Sequence, residues 1–181
     1  MIRVIALVLL ASCSVLPKPT EAKYEYVVLS APDAPPNAMP ASAPVTATLA
    51  VTLPTYLDRS DVVVRVSDNR LEFSLHERWA EALAIAVPRI AARDLAAAGI
   101  HVVDGGDAAV GVELALDRFE RRQDGHSELR AHWTIHRDRG ATTADFHADD
   151  PLPAHASADD AAASLSRLLV KLAAALADSL K

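Results

Sequence analysis

A period-two alternation of apolar and polar residues dominates the second half of this sequence. Every second residue is apolar from 110 to 116 and again from 129 to 135. Because successive side chains of a strand point to opposite faces, each stretch predicts a β-strand with one buried face. Asp124-Gly125 lies between them and is typical of a tight hairpin turn. The pair therefore predicts a long antiparallel hairpin whose apolar face needs a covering layer.

Shorter stretches have the β-branched or alternating content of further strands. They cover residues 23–29, 45–52, 62–66, 70–74, 100–103 and 141–147. Phe119 is out of phase with the alternation before it, which predicts a bulge or the end of that strand. We expect a sheet of about six to seven strands.

Two helices are predicted from the spacing of apolar residues. The first covers residues 77–98 with Trp79 on its apolar face, and Pro88 either kinks it or begins a second piece. The second begins at Ser157, whose spacing to Asp160 resembles a capping box, and carries a stripe of leucines. The element order predicts a single α/β domain, in which both helices pack on a mixed or mostly antiparallel sheet.

Composition limits the sources of stability and the kinds of partner. The chain has 181 residues, 51% of them apolar, which is enough for one domain with a sizeable core. Cys13 is the only cysteine, so no disulfide can form within the chain. The net charge of −6 and the lack of a basic stripe exclude nucleic acid as a partner.

The amino terminus has the features of an export signal. Arg3 precedes an apolar run that is too short to span a bilayer. Leu10-Ala11-Ser12-Cys13 resembles a bacterial lipobox, which implies cleavage before Cys13 and its acylation with fatty acids such as palmitate. A buried thiol, or a chance cysteine after an ordinary secretory signal, is the alternative.

These features divide the chain into a signal peptide at 1–12, a tether at 13–22 and a domain at 23–181. Several acyl chains together hold a protein stably on a membrane. In the sorting rule for such lipoproteins, an Asp after the acylated cysteine causes retention at the inner membrane, so Ser14 predicts the outer membrane.

Residues 31–44 contain five prolines and are predicted to be an exposed loop.

No catalytic or metal-binding motif stands out in the sequence. His132 and His136 have the spacing of zinc ligands on a helix, but on a strand their Cα atoms lie about 13 Å apart. The other five histidines lack carboxylate or cysteine partners at ligand spacing. Asp149-Asp150 and Asp159-Asp160 are interpreted as solvated turn and helix-cap residues. We expect no enzyme, no metal and no cofactor.

Three blocks resemble the PqiC family of ABC-type transport auxiliary lipoproteins. They are LPTYLDRSDVVVR at 53–65, NRLEF at 69–73 and RWAE at 78–81. Weaker similarity covers Tyr24-Glu25-Tyr26, Ala131-His132-Trp133 and the last helix. The chain departs from the family at Ala82, where proline is usual, and at Pro88.

The resemblance implies an anticodon-binding-like α/β domain without catalytic residues. It also implies an outer-membrane lipoprotein on the periplasmic face, working with a membrane permease and a PqiB-like MCE-domain protein that bridges the envelope. Such systems move lipids or other hydrophobic molecules between the two membranes and support membrane integrity. The chain is expected to be a docking or ring-forming homo-oligomeric subunit. The alternative is a stand-alone lipoprotein that binds a small apolar ligand or a cell-wall component.

Candidate partner-binding residues lie within these blocks. Pro54 ends a strand, so Tyr56 and Leu57 are predicted to project as a rigid apolar corner. Tyrosine, tryptophan and arginine are enriched at binding hot spots. The candidates are Leu53, Pro54, Tyr56, Leu57, Arg59, Arg65, Arg78 and Trp79. The alternative for Tyr56, Leu57 and Trp79 is packing inside the domain.

Overall fold

The computed structural model describes residues 23–31, 45–105, 108 and 110–181, which form a mixed sheet with two α-helices. The strands are β1 Glu25–Val27, β2 Val45–Thr52, β3 Asp61–Ser67, β4 Arg70–Trp79, β5 Ile100–Val102, β6 Val110–Arg122, β7 His126–Arg137 and β8 Gly140–Pro151. The helices are α1 Leu83–Ala97 and α2 Ala158–Leu180, and a 3₁₀ helix covers Thr55–Leu57. The predicted α/β class is confirmed. The signal peptide, Cys13, most of the tether and the loop at 32–44 lie outside the described residues.

The sheet is organised around β6, which has neighbours along both of its edges. One edge pairs with β7 in the predicted antiparallel hairpin, and β7 in turn pairs with β8. Along the other edge, β2 runs parallel to the first half of β6 and β3 runs parallel to its end. The strands β2 and β3 therefore lie end to end beside one long strand, and the 3₁₀ helix connects them.

The remaining strands extend the sheet on the side of β2 and β3. The strand β4 pairs antiparallel with β3, β1 pairs parallel with β4, and β5 pairs parallel with β2. The predicted bulge is confirmed, because the register of β6 against β7 shifts between Leu116 and Arg118. The shift places one extra residue in β6, so the side chains after it alternate in the opposite phase. Phe119 is therefore buried in the core.

Both helices cover the same face of the sheet. The helix α2 packs on β1, β6, β7 and β8, whereas α1 packs on β2, β5 and α2. The predicted capping box is confirmed: the Ser157 hydroxyl accepts from the Asp160 amide at 3.1 Å, and the Asp160 carboxylate accepts from the Ser157 amide at 2.9 Å. Among the described residues, no helix is both long enough and apolar enough to cross a membrane.

The predicted start of the first helix is wrong. Residues from 77 to Trp79 continue β4, and α1 begins only at Leu83. The reason is tertiary pairing, because Trp79 is the register partner of Val27 in β1 and both side chains are buried. This pairing outweighs the helical spacing of the apolar residues, so the segment forms a strand. From there α1 runs through Pro88 without a break to Ala97.

Truncation of Leu168 tests the placement of α2. This leucine is 0% exposed, so Leu168→Ala is expected to lower the free energy of unfolding by about 2–5 kcal/mol. Leu75→Ala is the matched control, since Leu75 is 77% exposed and its truncation should change stability by less than about 0.5 kcal/mol. Chemical denaturation curves of the purified chain measure both. Equal losses in the two variants would contradict the placement.

Candidate functional site

Charged side chains cover the face of the sheet that the helices leave open. They form three rows that run across the strands: Arg65, Arg122 and His126; Glu120, Glu128 and Asp149; and Arg118, Arg130 and His147. We call these nine residues the charge lattice. It contains four arginines, three carboxylates and two histidines, and its rows alternate in charge along the strand direction.

Strand register produces the rows. In the pairing of β6, β7 and β8, the three carboxylates are register partners in the middle row. Arg118, Arg130 and His147 are register partners in the adjacent row, and Arg65 of β3 is the partner of Arg122 of β6. Like charges directly opposite each other are destabilising in a sheet. The lattice is therefore held by attraction between rows.

Glu128 lies at the centre of the charge lattice, and its side chain is only 1% exposed. Its Oε2 accepts hydrogen bonds from Arg122 at 2.9 Å and from Arg118 at 3.2 Å, and its Oε1 accepts from Arg130 at 2.5 Å. His147 Nε2 is 3.4 Å from Oε1. Because three guanidinium groups surround one carboxylate, the cost of burying its charge is offset.

The arginines also control the protonation of Glu128. Burial by itself would raise the pKa of this carboxyl group. Hydrogen bonds from Arg122, Arg130 and Arg118 outweigh burial and lower the pKa to about 2. The carboxylate is therefore charged over the whole range in which the protein is expected to work.

A second buried ion pair joins β3 to β6 beside the 3₁₀ helix. Arg65 Nε donates to the Glu120 carboxylate, and within the described part of the chain Glu120 Oε2 has no hydrogen-bond partner. The Tyr56 hydroxyl donates to the Asp117 carbonyl oxygen at 3.3 Å. Burial raises the pKa of Tyr56, and the nearby Glu120 carboxylate acts in the same direction. Tyr56 thus packs beside the charge lattice.

A depression of about 440 Å³ lies over the charge lattice. Its lining consists of ionisable side chains, namely Asp68, Arg118, Arg122, His126, Glu128, Arg130, His147 and Asp149. Such a surface offers strong hydrogen bonds to a charged ligand and little contact to an apolar one.

Three residues with metal-ligating atoms meet in this depression. They are Glu128, His147 and Asp149, and His147 Nε2 lies 3.5 Å from Asp149 Oδ2. A cation here would lie beside the guanidinium groups whose hydrogen bonds already occupy both oxygens of Glu128. Because a metal cation and the neighbouring guanidinium groups would repel each other, these three residues suit a metal ion poorly.

Several predicted partner-binding residues are interior. Leu57 is buried, so the predicted corner does not project, and Leu53 packs against the core beside Pro54. Trp79 is buried at the end of β4. Arg65 is committed to the charge lattice. These residues support the domain from within, as the packing alternative expected for Leu57 and Trp79.

Arg59 and Arg78, by contrast, come together with aromatic residues at the β1–β4 edge. The Arg59 guanidinium lies 4.6 Å from the centre of the Phe73 ring, and that of Arg78 lies 4.8 Å from the Tyr24 ring. Both arginines pair with the Asp61 carboxylate, which links the two contacts.

Exposed apolar side chains are concentrated at the same edge. Among the described residues, the large exposed ones are Tyr24, Tyr26, Val28, Phe73 and Leu75 on and beside β1 and β4, together with Ile85 on α1. Tyr26 is 64% exposed, and its ring meets that of Tyr24 edge to face at 6.4 Å. We call Tyr24, Tyr26, Arg59, Phe73 and Arg78 the arginine–aromatic patch.

These features define a class of protein: an α/β domain whose mixed sheet is covered by helices on one face and by charges on the other. The family model described as the ABC-type transport auxiliary lipoprotein component matches residues 27–177. The chain belongs to this family. The resemblance to the PqiC family is thereby confirmed, and the chain is an auxiliary lipoprotein component of a transport system.

Solved structures show the same fold. One, described as the crystal structure of an uncharacterized protein, is 16% identical, with a TM-score of 0.74, and the match covers 88% of this chain and 99% of that one. Protein XCC0632 from Xanthomonas campestris, of the DUF330 family, is 15% identical with a TM-score of 0.71, covering 84% of this chain and 92% of the other. At such identities the likeness shows the fold alone. No curated protein matches the chain.

The charge lattice was missed in the sequence. The expectation that the scattered histidines lack carboxylate partners is wrong for two of them, since His126 Nδ1 lies 3.0 Å from Asp124 and His147 contacts Glu128. Asp149 and Asp150, interpreted as turn residues, belong to β8. Asp160 is the helix-cap residue that was predicted. One signal for the charge lattice was present in the sequence, namely the arginines at polar positions of β6 and β7.

Acid titration tests the role of Glu128. Its pKa is lower in the folded chain than in the unfolded chain, so its contribution to stability is complete above the unfolded value of about 4.5 and declines as the pH falls towards 2. Glu128→Gln is expected to be less stable at pH 7 and to lose less stability between pH 4.5 and 2. Denaturation at a series of pH values measures the difference. Exposed Glu113→Gln is the control, and an identical pH profile in both variants would contradict this role.

Proposed function

We propose that this chain is the outer-membrane lipoprotein of an MCE-type intermembrane transport system for lipids or other hydrophobic molecules. In this proposal it is a noncatalytic docking or ring-forming component that supports membrane integrity, and its partners are a PqiB-like MCE-domain protein and a membrane permease. The observation that carries the proposal is the family match over residues 27–177. It supports a role as an auxiliary component.

The proposed anchor is an acylated Cys13. The match of the family of auxiliary lipoproteins begins at residue 27, fourteen positions after this cysteine. At about 3.5 Å per residue, an extended tether from Cys13 to β1 spans about 40 Å at most. The domain would therefore stay close to the membrane surface, with β1 as its anchored end.

Substitution at the lipobox tests the anchor. Cys13→Ala is expected to give an unprocessed or soluble periplasmic chain that no longer supports envelope integrity, because no acyl chain can be attached. Ser14→Asp is the matched control, which should be processed but fractionate with the inner membrane. Membrane fractionation followed by mass spectrometry of the mature amino terminus measures both. Recovery of Cys13→Ala with the outer membrane would show that the anchor is elsewhere.

We propose the arginine–aromatic patch as the docking surface for the MCE-domain partner. Two predicted candidates, Arg59 and Arg78, lie in it, and each holds an aromatic ring in place through a cation–π contact. Tyrosine and arginine dominate hot spots because they combine a large contact area with polar groups. The patch also lies at the edge strand that follows the tether, where a bridging protein would meet the anchored domain.

Truncation of Tyr26 tests this surface. Tyr26→Ala is expected to weaken binding to the MCE-domain partner by about 10-fold or more, since a hot-spot residue contributes about 2 kcal/mol. Ile85→Ala is the control, because Ile85 is similarly exposed at 60% but lies on α1. Co-purification and titration with the purified partner measure the affinity. Equal loss in both variants, or none in Tyr26→Ala, would remove the patch from the interface.

The alternative of a stand-alone lipoprotein that binds a small apolar ligand gains no support from the depression on the open face. Apolar ligands bind in pockets lined mainly by hydrophobic and aromatic side chains. The depression described here has an ionisable lining. Its chemistry points to a different kind of ligand.

A further inference from the structure

The row of Arg118, Arg130 and His147 carries more N–H donors than the neighbouring side chains accept. Arg118 uses only Nη1, and Arg130 only Nε, in their hydrogen bonds to Glu128. The other guanidinium nitrogens of these two residues donate no hydrogen bond to any part of the chain that the structure describes. Arg130 is also accessible, with 46% of its side chain exposed.

Arg118 and Arg130 are direct register partners on neighbouring strands. Placing two like charges opposite each other costs stability, and Glu128 offsets this cost from the adjacent row. Glu128 also holds the two guanidinium groups in fixed orientations. With Arg122 included, three guanidinium groups meet the one buried carboxylate of Glu128 at the floor of the depression, and Asp68 and Asp149 are the other two acids of its lining.

Asp68 lines the depression as well, and two further acids around it, Asp149 and Asp124, pair with other residues. Asp149 faces His147 at 3.5 Å and His126 at 3.7 Å. Asp124 pairs with Arg122 at 3.2 Å and with His126 at 3.0 Å. These two carboxylates therefore pair with the histidines and Arg122, and neither forms an ion pair with Arg118 or Arg130.

We propose that the depression over the charge lattice binds a phosphate group, held between Arg118 and Arg130 with His147 beside it. Arginine donates two parallel hydrogen bonds to phosphate oxygens, and two facing arginines match the tetrahedral arrangement of those oxygens. The volume of about 440 Å³ accommodates a phosphate together with an attached polar group. The ligand is either a phospholipid headgroup or free phosphate. Only the headgroup source rests on the proposed function.

Calorimetric titration of the full acylated chain in uncharged detergent tests this site. The two probes, at fixed ionic strength, are inorganic phosphate and glycerophosphoglycerol, the soluble headgroup of phosphatidylglycerol. Saturable binding of at least one probe is expected. Preference for the phosphodiester supports the headgroup source, whereas preference for inorganic phosphate supports free phosphate. Absence of saturable binding for both probes overturns the proposal, even if Cys13 and the MCE partner behave as proposed.

Substitutions of Arg130 distinguish binding at this site from a general effect of net charge on affinity. Arg130→Gln is expected to lower the affinity by at least 10-fold, while Arg139→Gln, which removes the same charge from the exposed turn before β8, leaves it unchanged. Thermal unfolding identifies any loss of fold. If Arg130→Gln does not fold, the affinity of Arg130→Lys is measured in its place. This variant keeps the positive charge but loses the paired donors, so its affinity should also fall. Wild-type affinity in the folded Arg130 variant overturns the proposal.

Discussion

The coverage of one sheet face by helices is the constraint on which the rest of this structure depends. The helix α2 buries the apolar side of β6 and β7, α1 covers β2 and β5, and no second layer covers the other side in the described part of the chain. Side chains on that side must satisfy one another or bind something else. The charge lattice is the result, because ion pairs between neighbouring rows take the place that a second apolar layer would have.

Glu128 shows how closely stability and binding chemistry are connected on this face. A buried carboxylate needs compensating charges, and three arginines supply them. The same contacts fix the guanidinium groups in place and leave some of their donors free for a ligand. A residue that appears purely structural therefore positions the groups that give the depression its affinity for anions.

The two surfaces divide the molecule into two regions for which functions are proposed. The charge lattice lies on β3, β6, β7 and β8, whereas the arginine–aromatic patch lies at the β1–β4 edge. Burial of Leu57 and Trp79 removes them from the surface, and Arg59 and Arg78 remain as accessible members of the family blocks. In the roles proposed for this auxiliary lipoprotein, the edge serves a protein partner and the open face serves a charged ligand.

Local patterns in the sequence alone determined the hairpin of β6 and β7 and the capping box at Ser157, and they marked Phe119 as a bulge or a strand end. Each depends on neighbours in the chain, through side-chain alternation, turn chemistry or a hydrogen bond over three residues. The end of β4, the burial of Leu57 and the charge lattice were decided only by the tertiary structure. They depend on pairing between strands distant in sequence, such as Trp79 with Val27 and Arg65 with Arg122. Register of that kind is set by the packing of the whole sheet, and no local pattern encodes it.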